Sequence, residues 1–447
     1  MKKFITVFVF LTLLTGCTKY GNLINKAGNH KRFIMYPKTK FVVFTDPHFL
    51  SPSLMSNSKR FKKYNLKQRK MISKSNLIMD KITKKIEKSE CDFVIIPGDL
   101  TKDGEYLSHL KFIEFLEKIE KSGKEVYIID GNHDVNNFDA KSYDGKKIKK
   151  VENVTPEKFK KIYGEYGYNE ALFQDPLSLS YIVEPVQGLW LFAVDSCKWD
   201  LHDKEKKLSI TDGRIRYRSL KWIVDKLKLA EKKGKAVLFF MHHGILEHFK
   251  YYSKYVDDYL VNDYEDIGNI LSSYGAGVVF TGHFHSQDIT VKYFKNRYLF
   301  DIETGSLVTF PVPYRTVSID NKKQNMIINT KYIKKIKRFK NFYKYARDFC
   351  LKSNEHLFFD KFRKYLISKE DSKKLSKVYG RALLEHYQGD EGKVVNFDVK
   401  NLGLIGSFAY FFNRKFAESL LEDLPPGDNN IIINLKDGTI VEKKESK

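Results

Sequence analysis

From residue 41 the chain alternates two kinds of hydrophobic pattern. Short continuous apolar runs recur as FVVFT (41–45), DFVIIP (92–97), EVYIID (125–130), LWLFAVD (189–195), AVLFFM (236–241) and GVVFTG (277–282). Between several of them the apolar positions return every three or four residues. Leu77, Ile78, Ile82 and Ile86 form one stripe, and Leu107, Leu110, Phe112, Ile113, Leu116 and Ile119 a second. Trp222, Ile223, Leu227 and Leu229 mark a third. The continuous runs fit strands buried on both faces, and the wider spacing fits helices that bury one stripe. Their alternation predicts an α/β fold, a layered α-β-β-α sandwich with helices outside. Two later runs, YRTVSID (314–320) and NMIINTKYI (325–333), read as antiparallel strands.

The texture changes near residue 335. Phe342, Tyr345 and Phe349, the apolar spacing from Leu357 to Ile367, Leu375 to His386, and Leu402 to Leu421 are all helical in pattern. Pro425-Pro426-Gly427 closes the last of these, and IIINLKDGTIV (431–441) reads as a hairpin around Asp437-Gly438. The division expected is therefore a domain at 39–334 and a mainly helical appendage at 335–447.

The first residues carry a different signal. Lys2 and Lys3 precede an apolar or Thr run from Phe4 to Leu14, and Leu14-Thr15-Gly16-Cys17 follows. The run is too short to span a bilayer, which takes about 20 residues. It reads as a signal peptide over 1–16 with a lipobox-like end, so that cleavage leaves Cys17 as a lipid-modified N-terminus. Residues 17–38 are polar and aperiodic, the composition of a tether. Export with a lipid anchor at a bacterial cell envelope is the expectation, with the membrane a partner through that anchor.

Composition adds bounds. The 447 residues, 42% of them hydrophobic, suffice for a sizeable core and exclude a disordered chain. The net charge of +24 allows an anionic partner, but Lys and Arg are interleaved with apolar residues and form no single stripe. Nucleic acid is therefore not the expected ligand. Besides Cys17, only Cys91, Cys197 and Cys350 remain, an odd and sparse set that is no disulfide framework.

The chemistry lies behind the strands. FVVFT leads to Asp46-Pro47-His48, DFVIIP to Gly98-Asp99, and EVYII to Asp130-Gly131-Asn132-His133-Asp134. AVLFFM leads to His242-His243-Gly244, and GVVFT to Gly282-His283-Phe284-His285. Five strand ends thus offer only oxygen and imidazole donors, and in open α/β sheets ligands gather beyond the carboxyl ends of strands. Mixed carboxylate and imidazole donors suit Mn, Fe or Zn better than Mg or Ca. A carboxylate is the side chain able to bridge two such cations.

The ordered series DPH, GD, GNHD, H and GHFH resembles the calcineurin-like metallophosphoesterase superfamily, over about residues 40 to 320. GDLTKDGE, the long segment after the first motif and the helical C-terminal region look like the family's bacterial secreted cyclic-nucleotide phosphodiesterase-like members. That resemblance implies two divalent metal ions. Asp46, His48, Asp99 and His285 would hold one, and Asp99 would bridge to a second completed by Asn132, His242 and His283. At the pair His242/His243 similar members use the first. His133 would stand over the scissile phosphate and Asp134 would orient it. The activity implied is hydrolysis of a small phosphorylated substrate, a phosphodiester such as a cyclic nucleotide, by a hydroxide bridging the metals. A phosphomonoesterase or nucleotidase is the alternative within enzymes, and a non-catalytic phosphate-ligand-binding lipoprotein the alternative outside them. Phe49, Leu50 and the aromatic stretch 248–255 flank the site, either to stack on a base or to pack a loop. The Lys-rich loop 139–154 reads as a solvated loop or a lid over the cleft.

Overall fold

The computed structural model describes residues 20–24, 33–145, 147–202, 205, 209–337, 339–391, 397 and 399–442. The expected leader and Cys17 lie outside the described residues. The strands, in chain order, are β1 (Thr39–Val43), β2 (Phe93–Pro97), β3 (Glu125–Ile129), β4 (Lys141–Ser142), β5 (Lys149–Lys150), β6 (Phe173–Gln174), β7 (Tyr181–Val186) and β8 (Leu189–Val194). They continue as β9 (Ala236–Met241), β10 (Val278–Thr281), β11 (Asp288–Phe294), β12 (Arg297–Glu303), β13 (Pro313–Asp320), β14 (Asn325–Tyr332) and β15 (Asn430–Asn434). Helices are α1 (Gly21–Ile24), α2 (Lys59–Leu66), α3 (Ser75–Glu87), α4 (Tyr106–Glu120), α5 (Pro156–Ile162) and α6 (Tyr217–Lys232). The later ones are α7 (Tyr252–Tyr255), α8 (Tyr264–Ser273), α9 (Phe342–Lys364), α10 (Lys369–His386) and α11 (Leu404–Ser419).

Two mixed sheets carry the molecule. One runs β15-β14-β13-β1-β2-β3 and the other β11-β12-β10-β9-β8-β7-β6. The five strands that lead to the motifs run parallel within each sheet, β1, β2 and β3 in the first and β9 and β10 in the second, where β8 is also parallel to β9. Their inner faces meet in one core, where the Phe41 ring lies edge-on to Phe280 across the gap at 5.4 Å. Outside the first sheet, α3 buries Ile78, Ile82 and Ile86, and α4 buries Phe112, Leu116 and Ile119. Outside the second, α6 and α8 bury Leu220, Ile223, Leu227, Ile267, Ile270 and Leu271 against Trp190, Phe192 and Phe239. The layering is α-β-β-α, as the alternation of runs predicts.

Strands β4 to β7, β11 and β12 were not anticipated, and for the last two the reason is physical. TVKYFKNRY puts charges at the hairpin end of β11 and β12, where Lys292 and Tyr293 are exposed edge positions. Helix α9 is continuous where two helical stretches were expected. Part of the expected tether is also folded. Tyr20 and Leu23 are buried on the outer face of the second sheet, the Tyr20 hydroxyl donating to Asp263 at 2.8 Å and Leu23 O accepting from Tyr274 at 3.0 Å.

The C-terminal region is helical and ends inside the sandwich. Strand β15 extends the first sheet at β14, and Ile433 bridges Ile440 in the expected hairpin. Helices α9, α10 and α11 enclose a core of their own that takes in Phe249, Tyr252 and Phe284. The seam is closed by Arg315 of β13, which is fully buried. It donates to the carbonyls of Glu303 at 2.6 Å and Asp428 at 2.7 Å, and to Thr330 Oγ1 at 3.2 Å. One guanidinium thereby ties both sheets to the returning chain. Arg315→Met should leave these buried acceptors without a donor and cost about 3 kcal/mol. A denaturant midpoint unchanged from wild type would refute that assignment.

Candidate metal centre

The five strand ends converge at the edge where the two sheets meet. Asp46, His48, Asp99 and His285 each bring a donor atom within 4.8 Å of the other three, and Asp99 is shared with a second group, His242 and His283. His48 Nε2 stands 3.4 Å from Asp99 Oδ2 and 3.1 Å from His285 Nε2. Asp46 Oδ1 lies 3.2 Å from His285 Nε2. On the other side, His242 Nε2 is 3.4 Å from Asp99 Oδ2 and 3.1 Å from Asn132 Oδ1. All seven are buried.

The backbone is bent to make this possible. Asp46, His48, Asp99, His283 and His285 all have positive φ, between 36° and 76°. Such non-glycine conformations cost of order 1–3 kcal/mol each and persist only where the surroundings enforce them. The motif glycines permit the crowding. A Cβ on Gly98 would sit 2.7 Å from His242 Nδ1, one on Gly282 2.5 Å from Asp46 Oδ2, and one on Gly131 would collide with the Asp99 amide and carboxylate.

The donors fit a pair of cations. Asp46 Oδ1 is buried with no hydrogen-bond partner. Burial holds His48 and His283 well below the usual imidazole range and His285 down to about 4, so these rings are neutral and present lone pairs. Their second nitrogens are partly spoken for. His242 Nδ1 donates to Pro97 O at 2.9 Å, and His283 Nε2 to Asp258 O at 3.2 Å. Such outer hydrogen bonds fix ring orientation and tautomer at metal sites. Two neutral imidazole nitrogens at 3.1 Å, with an orphaned carboxylate oxygen 3.2 and 3.6 Å from them, are what a cation would satisfy.

His243 is engaged elsewhere. Ser196 Oγ meets its Nδ1 at 2.8 Å and Thr211 O its Nε2 at 2.8 Å, so both ring nitrogens have partners. His242 is the ring that faces Asp99. Asp130 stays out of the site and lies instead with Asp195 and Cys197.

Asp134 requires a correction. Its carboxylate does not meet the His133 ring. It accepts from the amides of Leu100 at 3.0 Å, Thr101 at 2.8 Å and Gly131 at 2.9 Å, and from Thr101 Oγ1 at 2.8 Å. Four donors fix it between the loops after β2 and β3, so its effect on His133 passes through the backbone. The carboxylate at the ring is Asp103, whose Oδ1 accepts from His133 Nδ1 at 2.7 Å. Burial works against the Asp103 anion, but Lys102 and His133 prevail and lower it to about 2. The Lys102 ammonium, paired with Asp103, also lies over the rings of Tyr64 and Tyr143.

A second residue went unread in the sequence. Lys70 Nζ stands 3.4 Å from both His48 Nδ1 and His133 Nε2, and burial lowers its pKa to about 8. The loop presenting it is pinned from the helical region. Arg69 N donates to Ser353 Oγ at 2.9 Å and Arg69 Nη1 to Tyr387 OH at 3.3 Å. The flanking aromatics resolve as packing. Phe49 is buried against Phe112 and Phe115, and Phe249 and Tyr252 against Phe284. In the Lys-rich loop, β4 and β5 form a short hairpin, and Lys146 lies outside the described residues.

The family model for calcineurin-like phosphoesterases matches residues 39–287, more than half of the chain. The chain belongs to that family. Membership makes it a metal-dependent phosphoesterase, and the shared-carboxylate cluster fits a binuclear site. A search of curated proteins matched none. Among solved structures, a dimetal phosphatase from Danio rerio is similar at 15% identity and TM-score 0.47, covering 66% of this chain and 97% of its own. Vps29 from Chaetomium thermophilum is similar at 10% identity and TM-score 0.25, covering 68% and 93%.

Gly131→Ala tests the crowding directly. The added methyl displaces Asp99, so bound metal measured by mass spectrometry should fall by about one equivalent or more while the circular dichroism is kept. Full metal content in the variant would contradict the geometry.

Proposed function

We propose that the chain hydrolyses phosphodiesters, cyclic nucleotides among them, outside the cytoplasm. The observation that carries this is the shared Asp99, with one cluster on each side of it, His133 4.0 Å from its carboxylate and Lys70 beside His48 and His133. In this reading Asp46, His48, Asp99 and His285 hold one divalent ion, and Asp99, Asn132, His242 and His283 the other. Bound there, Mn, Fe or Zn would polarise a phosphoryl oxygen and lower the pKa of an attacking water.

The chain's own residues do the rest. Lys70 presents an ammonium beside the site, where it offsets charge on the non-bridging oxygens. His133, a quarter exposed toward the cleft, has its Nδ1 proton committed to Asp103, leaving Nε2 to face the substrate. From there it is positioned to pass a proton to the departing alkoxide, which a diester needs and Lys70 cannot replace without losing its charge. A phosphomonoester is the second reading. The extra cationic group Lys70 favours it, because a monoester brings a second negative charge.

Export rests on the leader of residues 1–16, and anchoring on acylation of Cys17 behind Leu14-Thr15-Gly16. The catalytic unit is taken as 39–334 and the helical unit as 335–447.

Parallel assays on bis-(p-nitrophenyl) phosphate and p-nitrophenyl phosphate, with Mn²⁺, Zn²⁺ or Fe²⁺ and an Asp99→Asn blank, decide between the readings. Metal-dependent turnover favouring the diester is the expected result, and preference for the monoester would reverse the assignment. Lys70→Met should lower kcat/KM by roughly 10²–10³ with metal content intact, the effect of removing one charge-stabilising donor. Asp103→Asn should cost about 10-fold or more in kcat with KM little changed, since it releases the His133 ring without touching substrate. Wild-type rates in either variant would remove that residue from the scheme.

A further inference from the structure

Helix α11 is apolar on two faces. One face carries Gly406, Ala417 and Ser419 into the helical core, and Gly406 is so close to α10 that a Cβ there would lie 2.7 Å from Asp371 Oδ2. The opposite face is bare. Leu404 is 76% exposed, Ile405 57%, Phe408 56%, Phe411 74% and Phe412 71%. The spacing i, i+1, i+4, i+7, i+8 puts these on one stripe. Beside it, at the end of α9, Tyr365 is 68% and Leu366 84% exposed. A helix that is apolar all round is ordinarily enclosed, and a continuous exposed patch of this kind marks an interaction surface.

Charge selects the occupant. Segments 361–369 (KFRKYLISK) and 404–418 (LIGSFAYFFNRKFAE) hold six basic residues and one acidic one, Glu418, which pairs with Arg414. A second copy docked by two-fold symmetry would bring those six against their equivalents, which like-charge repulsion opposes. An anionic bilayer surface offers both complements, a hydrocarbon boundary for the Phe and Leu side chains and headgroups for Lys361, Lys364 and Lys415. The chain's overall +24 acts in the same direction. No described helix is long and apolar enough to cross a membrane, so a contact of this kind lies in the plane of the interface.

We propose that α11, with the Tyr365-Leu366 tip of α9, is an interfacial membrane-binding element that inserts into anionic lipid surfaces. It operates without acylation at Cys17 and would hold the site in a fixed orientation to the bilayer.

The test uses the chain from position 17 with Cys17→Ser, which carries no lipid and keeps every described residue. Co-sedimentation with phosphatidylglycerol-containing vesicles should be salt-sensitive and stronger than with pure phosphatidylcholine. Phe411→Ser/Phe412→Ser should lower the partition coefficient about tenfold or more, with p-nitrophenyl ester turnover and circular dichroism unchanged. Equal binding by the variant, or no binding by the parent, overturns the proposal. So does a parent that sediments as a dimer, becomes monomeric in the variant and ignores vesicles, which would make the face an interface between copies.

Discussion

Asp99 is a carboxylate buried at the meeting of two sheets, and the site is arranged around keeping it charged. Burial alone would push its pKa up. The imidazoles of His242 and then His133 prevail and hold it well below the usual carboxylate range. They come from the loops after β9 and β3, so a single anion recruits both halves of the sandwich. Burial likewise opposes a charge on His242, yet Asp99 lifts that ring to about 9. A divalent ion bound there would be held by Asp99 and His242 in place of that proton and would neutralise the buried anion.

Close approach around that carboxylate explains the glycines. Gly98, Gly131 and Gly282 are where one loop's backbone touches another loop's ligand. Any side chain there forces the ligand out. The left-handed turns at Asp46, Asp99, His283 and His285 follow from the same crowding, because each loop must reverse immediately after its strand to aim a donor inward. Packing of the rigid sheets supplies the stability that tolerates this strain.

These relations explain what could be read along the chain. The strands with continuous β-branched runs and the motifs behind them are local signals, so Asp46, His48, Asp99, His242, His283 and His285 were legible, and so was the α/β layering. Asn132 was legible for the same reason. Lys70 was not, because it stands behind no strand, and Asp103 was passed over inside GDLTKDGE after β2 because its partner lies on another loop. Lys70 reaches the site only because Arg69 is held by Ser353 and Tyr387, nearly three hundred residues and more along the chain. Asp103 pairs with His133 across two loops, while the adjacent Asp134, the nearer carboxylate in sequence, is consumed by backbone amides. The resemblance assigned the orienting role to Asp134, but backbone amides take up that carboxylate. Helix α8 and strands β11 and β12 escaped notice where polar edge residues broke the periodic pattern.

The helical region is therefore more than an addition to the sandwich. Phe284 sits between His283 and His285, and its ring packs 5.4 Å from His386 of α10 and 4.7 Å from Tyr259. The two donors flanking it point into the metal site while the residue between them is an anchor in the helical core. From the other side, α9 and α10 grip the loop that carries Lys70. Moving these helices would shift both a ligand pair and a cationic group at once. The exposed stripe of α11 belongs to this same packed unit, sharing with it Tyr379, Phe358 and Phe284. A surface that captures α11 thus acts on a rigid body whose far side is the wall of the metal centre, and orientation at the surface and geometry at the site become one constraint.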